Sequence, residues 1–121
     1  MKVNAAIIAL LVPALSAIFP GILRAAPLAS GQKVAVTTAA YGCMDLDDLK
    51  TFEAAEAQAN AAHDDAAADN AVQNAMESSC DFIQAGSTGT VTGFSGGAYV
   101  QVQMDGSTED NWFDLQDVTA R

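Results

Sequence analysis

Apolar and polar residues alternate most cleanly between Gly86 and Val118, where glycine-rich breaks separate short runs of valine, threonine and aromatics. Thr90–Phe94 and Tyr99–Met104, joined by Ser95-Gly96-Gly97-Ala98, have the form of two antiparallel strands with a short glycine turn. Period two places Val100, Val102 and Met104 on one face, with Val91 as cross-strand partner, and Tyr99, Gln101 and Gln103 on the other. Asp105-Gly106-Ser107-Thr108 is the next turn signal. A third short strand is expected over Asn111–Leu115, with Phe113 and Leu115 facing away from Trp112 and Asp114, before Gln116-Asp117-Val118 closes the run.

Upstream the pattern changes period. Lys33–Thr38 and Cys80–Gln84 each have the composition of a strand, and the alanine-rich stretch Asp45–Ser79 between them favours helix. Leu46, Leu49, Phe52, Ala55 and Ala59 form one helical stripe, and Asp48 falls in the first turn, where the helix dipole favours acid. Val72 and Met76, with Ala68 and Ala75, form a second stripe. Polar residues collect at Ala62-His63-Asp64-Asp65, where Asp64 or Asp65 is placed to cap a new helix.

Lys2 is followed by the uncharged stretch Val3–Leu23, then Arg24 and a small-residue segment ending at Ala29 and Ser30. This is the arrangement of a secretory signal peptide, with cleavage after Ala17 or after Ala29 both compatible. The expected organisation is a signal over 1–29 and one domain over 30–121. An uncleaved membrane anchor is the alternative, weakened by Pro13 and Pro20. Such a protein meets an oxidising compartment, periplasmic or extracellular, where two cysteines are most simply read as one disulfide, Cys43 to Cys80. A single helix joining them would set its ends about 50 Å apart at about 1.5 Å per residue, whereas a disulfide brings Cα atoms within about 7 Å. The segment 45–79 must therefore fold back as a helical hairpin.

From Ser30 onward the chain keeps Lys33, Lys50 and Arg121 against fifteen aspartates and glutamates, a formal charge of −12. That charge disfavours nucleic acid and suits solubility or a basic partner.

The glycine-started strand, the middle strand of alternating valines, the Asp-Gly turn and the aromatic pair before a closing valine resemble the small SH3-like barrels of the KOW and Tudor type. The residues that carry this are Gly89, Val91, Val100, Val102, Asp105, Gly106, Trp112, Phe113 and Val118. The resemblance covers about a third of the chain. It implies a small SH3-like antiparallel β-barrel over 80–121, which with the helical hairpin, 45–79, before it makes an α+β domain. It implies no ligand, since such barrels bind peptides, nucleic acids or wall material, and some only hold a protein together.

Catalytic signals are weak. Gly93-Phe94-Ser95-Gly96-Gly97 matches the nucleophile pattern of serine hydrolases in letters, but it is expected to join two strands, and the one histidine, His63, precedes it. His63 with Asp64, Asp65 and Asp69 lacks the spacing of a structural zinc site, and the aspartate groups at 45–48 and 105–110 lack the calcium-loop pattern, so no metal or other cofactor is expected. The remaining candidates are Phe94, Tyr99 and Trp112, which fall on the polar-facing sides of their strands. They form either an exposed aromatic patch for an extended peptide or the surface that the helical hairpin covers. The chain is expected to be a non-catalytic, exported, bacterial-type binding or envelope-interaction module. Its partner would be a basic protein or peptide or cell-wall material, with membrane contact only if the signal stays uncleaved. The rival is an acidic inhibitor of a basic extracytoplasmic enzyme such as a cell-wall hydrolase.

Overall fold

The computed structural model describes residues 27–121. The signal expected over 1–29 thus lies outside the described residues, except for its last three. Two helices and seven strands follow one another: β1 Lys33–Val36, β2 Ala40–Cys43, α1 Leu46–Ala61, α2 Asp65–Glu77, β3 Cys80–Ile83, β4 Thr88–Ser95, β5 Tyr99–Met104, β6 Asp110–Asp114 and β7 Val118–Ala120. The strands form one antiparallel sheet in the order β3-β2-β6-β5-β4-β1-β7. The α+β class is therefore as expected, but its arrangement differs in two respects.

One strand, β1, comes before the helical hairpin as the Lys33–Thr38 pattern predicts, but β2 precedes it too, so the hairpin is inserted between β2 and β3 rather than leading the sheet. The sheet is also not a closed barrel: β3 and β7 stand at its two ends, and no ladder joins them among the described residues. It is nevertheless strongly coiled. Val34, Val36 and Val118 from one end, the central Val91, Val100, Val102 and Phe113, and Ala40 and Ile83 from the other end share a single core cluster. Sheet twist accumulated over seven strands brings both ends toward one interior.

β4 and β5 form the hairpin that the alternation predicts, with Val91 opposite Val102. At Thr92 the register slips by one residue, a β-bulge. β6 then pairs with β5, placing Phe113 opposite Val100. The strand ends at Asp114, and Leu115–Asp117 form a 3-10 turn whose start is capped by the Asp114 carboxylate, accepting from the Gln116 N–H at 3.3 Å.

Phe113 is fully buried, and its ring lies where a side chain at residue 42 would stand. A Cβ on Gly42 would sit 2.7 Å from Phe113 Cζ, so only glycine lets β2 pass over the ring. Glycine's small size is likewise needed at Gly89, where a Cβ would meet the Gln103 carbonyl oxygen at 2.6 Å.

The hairpin covers the other face of the sheet. α1 is capped by Asp45, which accepts from the Asp47 N–H at 2.9 Å, and α2 by Asp64, which accepts from the Ala67 N–H at 3.0 Å. The two helices enclose Cys43, Leu49, Phe52, Ala71, Ala75 and Cys80. Of the expected α2 stripe, Ala75 is buried and Val72 is half-buried against this cluster, whereas Met76 is 46% exposed and Ala71 is buried instead. Alanines facing alanines let the helix axes approach closely, and this turns α2 away from the phase that its larger side chains suggest.

At its base the hairpin is tied three ways. Cys43 and Cys80 stand directly opposite each other on β2 and β3, with Cα atoms 3.9 Å apart, and form the disulfide. The Ser79 hydroxyl donates to Asp48 Oδ2 at 2.7 Å and accepts from the Asp45 N–H at 3.0 Å. The Met44 N–H donates to the Ser79 carbonyl at 3.0 Å.

Candidate functional site

Three aromatic residues are candidates, and the ladder separates them. Tyr99 pairs with Asp114, and Trp112 pairs with Gln101 and Cys43, so both lie on the face under the helices, half-buried against the hairpin core. Phe94 pairs with Val100 and so stands on the opposite face of the sheet, 42% exposed at the end of β4. The bulge at Thr92 is the reason. Strict alternation from Val91 would put Phe94 beside Tyr99, but one extra residue in the strand reverses the phase of everything after it. The three rings therefore do not form one patch.

Tyr99 instead joins an acidic seam where α1 meets the sheet. Its hydroxyl donates to Glu53 Oε1 at 2.8 Å, and the Lys50 ammonium stands 5.6 Å from its ring centroid. Asp114 and Asp117, at the end of β6 and in the 3-10 turn, crowd the same place. Burial raises Glu53 above its ordinary value near 4.5; the Tyr99 hydrogen bond opposes the shift, while a hydrogen bond and the charge of Asp114, and the charge of Asp117, add to it. Asp117 is raised by burial and by the charge of Asp114, against a hydrogen bond from the Thr38 hydroxyl at 3.3 Å. The Tyr99 phenol is pushed up to about 12, first by its hydrogen bond to Glu53 and then by burial and the neighbouring carboxylates.

Beside this seam lies a cleft of about 200 Å³ floored by Tyr41 and Phe52, with Glu53, Glu56 and Asp117 at its rim. Tyr41 is held edge-on between Phe52 at 4.9 Å and Phe82 at 5.4 Å. The seam thus combines apolar floor with concentrated negative charge. Sequence reasoning missed it, because Glu53, Asp114 and Asp117 come together only through the packing of α1 on β6. The one local signal was Glu53 following Phe52 on the buried stripe of α1.

The G-x-S-x-G run joins β4 to β5, with Gly96 at φ 59°, and leads into no helix. His63 occupies the exposed turn between the helices with φ 53°. Among the described residues no three histidine, cysteine or acidic side chains are placed to hold a metal ion. Among them also, no helix is long and apolar enough to cross a membrane. The Cys43–Cys80 disulfide is compatible with an oxidising extracytoplasmic location. Comparison of the chain with family models, curated proteins and solved structures gives no match.

Proposed function

We propose that this chain is an exported, non-catalytic binding module, periplasmic or secreted, whose partner is a basic protein or peptide. The observation that carries the reading is the crowding of Glu53, Asp114 and Asp117 at the seam under α1. Glu53 and Asp117 hold protons more firmly than ordinary carboxylates do. Burial is the first cause of both shifts, and the charge of Asp114 beside both groups adds to it, so a cationic group that reaches the seam meets several carboxylates at once. The charge of −12 from Ser30 onward acts in the same sense at longer range. Of the three aromatics, Phe94 is the one whose exposure suits direct contact.

An SH3-like ancestry of the sheet belongs to the same proposal. It is supported by the succession β1, β4, β5, β6, by the 3-10 turn before β7, and by the return of β7 to β1, which together surround the valine core.

The test is a titration of the oxidised protein with a fluorescent lysine-rich peptide at about 0.01 M and 0.15 M salt, where the screening length falls from about 30 Å to about 8 Å. Binding is expected at low salt, weakened at high salt and weakened again by the triple change Glu53→Gln, Asp114→Asn, Asp117→Asn. Absence of binding at low salt, or binding indifferent to those charges, refutes the reading. Loss of activity of a basic cell-wall hydrolase on adding the protein would select the inhibitor form of the same idea. A serine-reactive phosphonate is expected to leave Ser95 unlabelled.

A further inference from the structure

Resting on the reading of a basic partner, we propose that the outer edge of β3 receives an extended basic segment of that partner as an additional strand. β3 ends the sheet and pairs only with β2 among the described residues, so its far side offers an unpaired row of main-chain donors and acceptors. Next to this edge runs a groove of about 500 Å³ between β3 and the start of β4. Ile83 and Met104 form its apolar floor, both packed against the valine core, and Phe82, 49% exposed, forms its wall. Strand addition uses these two features together: the main chain supplies hydrogen bonds, and alternate side chains of the added strand enter a neighbouring pocket.

Charge decides the occupant. Asp81 is exposed in the middle of β3, and Asp105 stands at the groove rim, where the Thr88 hydroxyl donates to its Oδ2 at 2.5 Å. The three cations of the described residues lie elsewhere: Lys33 on β1, Lys50 on α1 and Arg121 beyond β7. A second copy of this chain would bring its own Asp81 and its whole acidic surface to the same ladder, and like charges directly opposite are destabilising. An arriving strand that alternates cationic and apolar residues meets both needs, with its cations on the face of Asp81, their aliphatic stems over Ile83 and Met104 toward Asp105, and its apolar residues on the other face against Phe82. The opposite edge, β7, is three residues long and carries no exposed large apolar side chain.

The experiment is an amide chemical-shift titration of the oxidised, full-length secreted form with an alternating Lys-Val octapeptide and two versions N-methylated at alternate residues, one on the lysines and one on the valines. Shifts are expected at Asp81–Gln84 and Met104. One methylated peptide should bind like the parent and the other at least tenfold more weakly, because one set of amides faces β3 and the other faces solvent. Phe82→Ala should weaken the parent peptide about fivefold while leaving the spectrum of the free protein folded. If the parent binds but both methylated peptides match it, with shifts confined to Glu53, Asp114 and Asp117, the edge assignment is overturned and the basic-partner reading stands. If no basic peptide binds, both fall. A dimer of the protein alone whose interface shifts map to β3 overturns the choice of occupant.

Discussion

Removing the Cys43–Cys80 bridge tests how the domain is held together. The bridge spans 37 positions of sequence. In the chain-entropy description a closed loop of that size stabilises by about 4 kcal/mol. A domain of this length has a total stability of about 5–14 kcal/mol, so the loss takes a large share of it. The loss should also be uneven. β2 is joined to the rest of the sheet through a ladder with β6 that has one paired position, Cys43 with Trp112, and among the described residues β3 is joined only through β2. The bridge lies inside the block β2-α1-α2-β3, which is held to the remaining sheet by that pairing, by Phe113 under Gly42, by Ala40 and Ile83 against the valine core, and by Tyr99 and Trp112 against the helices with Tyr99 bonded to Glu53. The double change Cys43→Ala, Cys80→Ala is therefore expected to lower the urea midpoint by about 2–4 M, for a slope of about 1–2 kcal/mol/M. Native-state hydrogen exchange should show amides of α1, α2, β2 and β3 opening at a lower free energy than those of β4, β5 and β1. Phosphine reduction of the unmodified protein should reproduce the effect. A midpoint within about 0.5 M of the parent, or uniform opening of both blocks, would refute the reasoning.

Phe113→Ala should cost about 3–5 kcal/mol in chemical denaturation, since the ring is fully buried and its loss leaves a cavity between β2 and β5. Gly42→Ala should cost about 1–3 kcal/mol by overpacking against the same ring. Combining it with Phe113→Leu should cost less than the sum of the two single changes, which a double-mutant cycle measures. Stability should fall as pH rises above the ordinary carboxylate values, because Glu53 and Asp117 are raised in the folded state. Their contribution is fully present below the ordinary carboxylate values and is lost as pH passes the folded ones. Glu53→Gln should flatten that slope in thermal melts across pH. A second decline is expected above pH 10, where the unfolded phenol of Tyr99 ionises while the folded one holds its proton up to about 12, and Tyr99→Phe should remove it.

Local chemistry made several elements legible. Asp45 and Asp64 cap the two helices as their side chains suggest, the pairing of Val91 with Val102 follows from alternation, and the disulfide requirement folds the alanine-rich segment back. What escaped was set by contacts between distant parts. β2, Ala-Tyr-Gly-Cys, has neither length nor alternation, and it is a strand because β3 and β6 flank it. The exposure of Met76 reflects how closely alanine surfaces pack, which its own helix does not encode. The position of Phe94 turns on one bulged residue, Thr92, that nothing in its side chain distinguishes. The acidic seam was hidden for a related reason: Glu53 and Asp114 are far apart in sequence and become neighbours only when α1 lies across β6.

The direct opposition of Cys43 and Cys80 means that everything between them leaves the sheet and returns to it at one point. The far tip of the excursion, the exposed turn around His63, can therefore lengthen or shorten without moving the strands on either side, whereas α1 is fixed to the sheet by Phe52 and by Glu53 under Tyr99. An insertion at that turn should leave the strand ladders and the disulfide in place. The two cysteines fix where the excursion begins and ends, and the packing of α1 fixes how it lies.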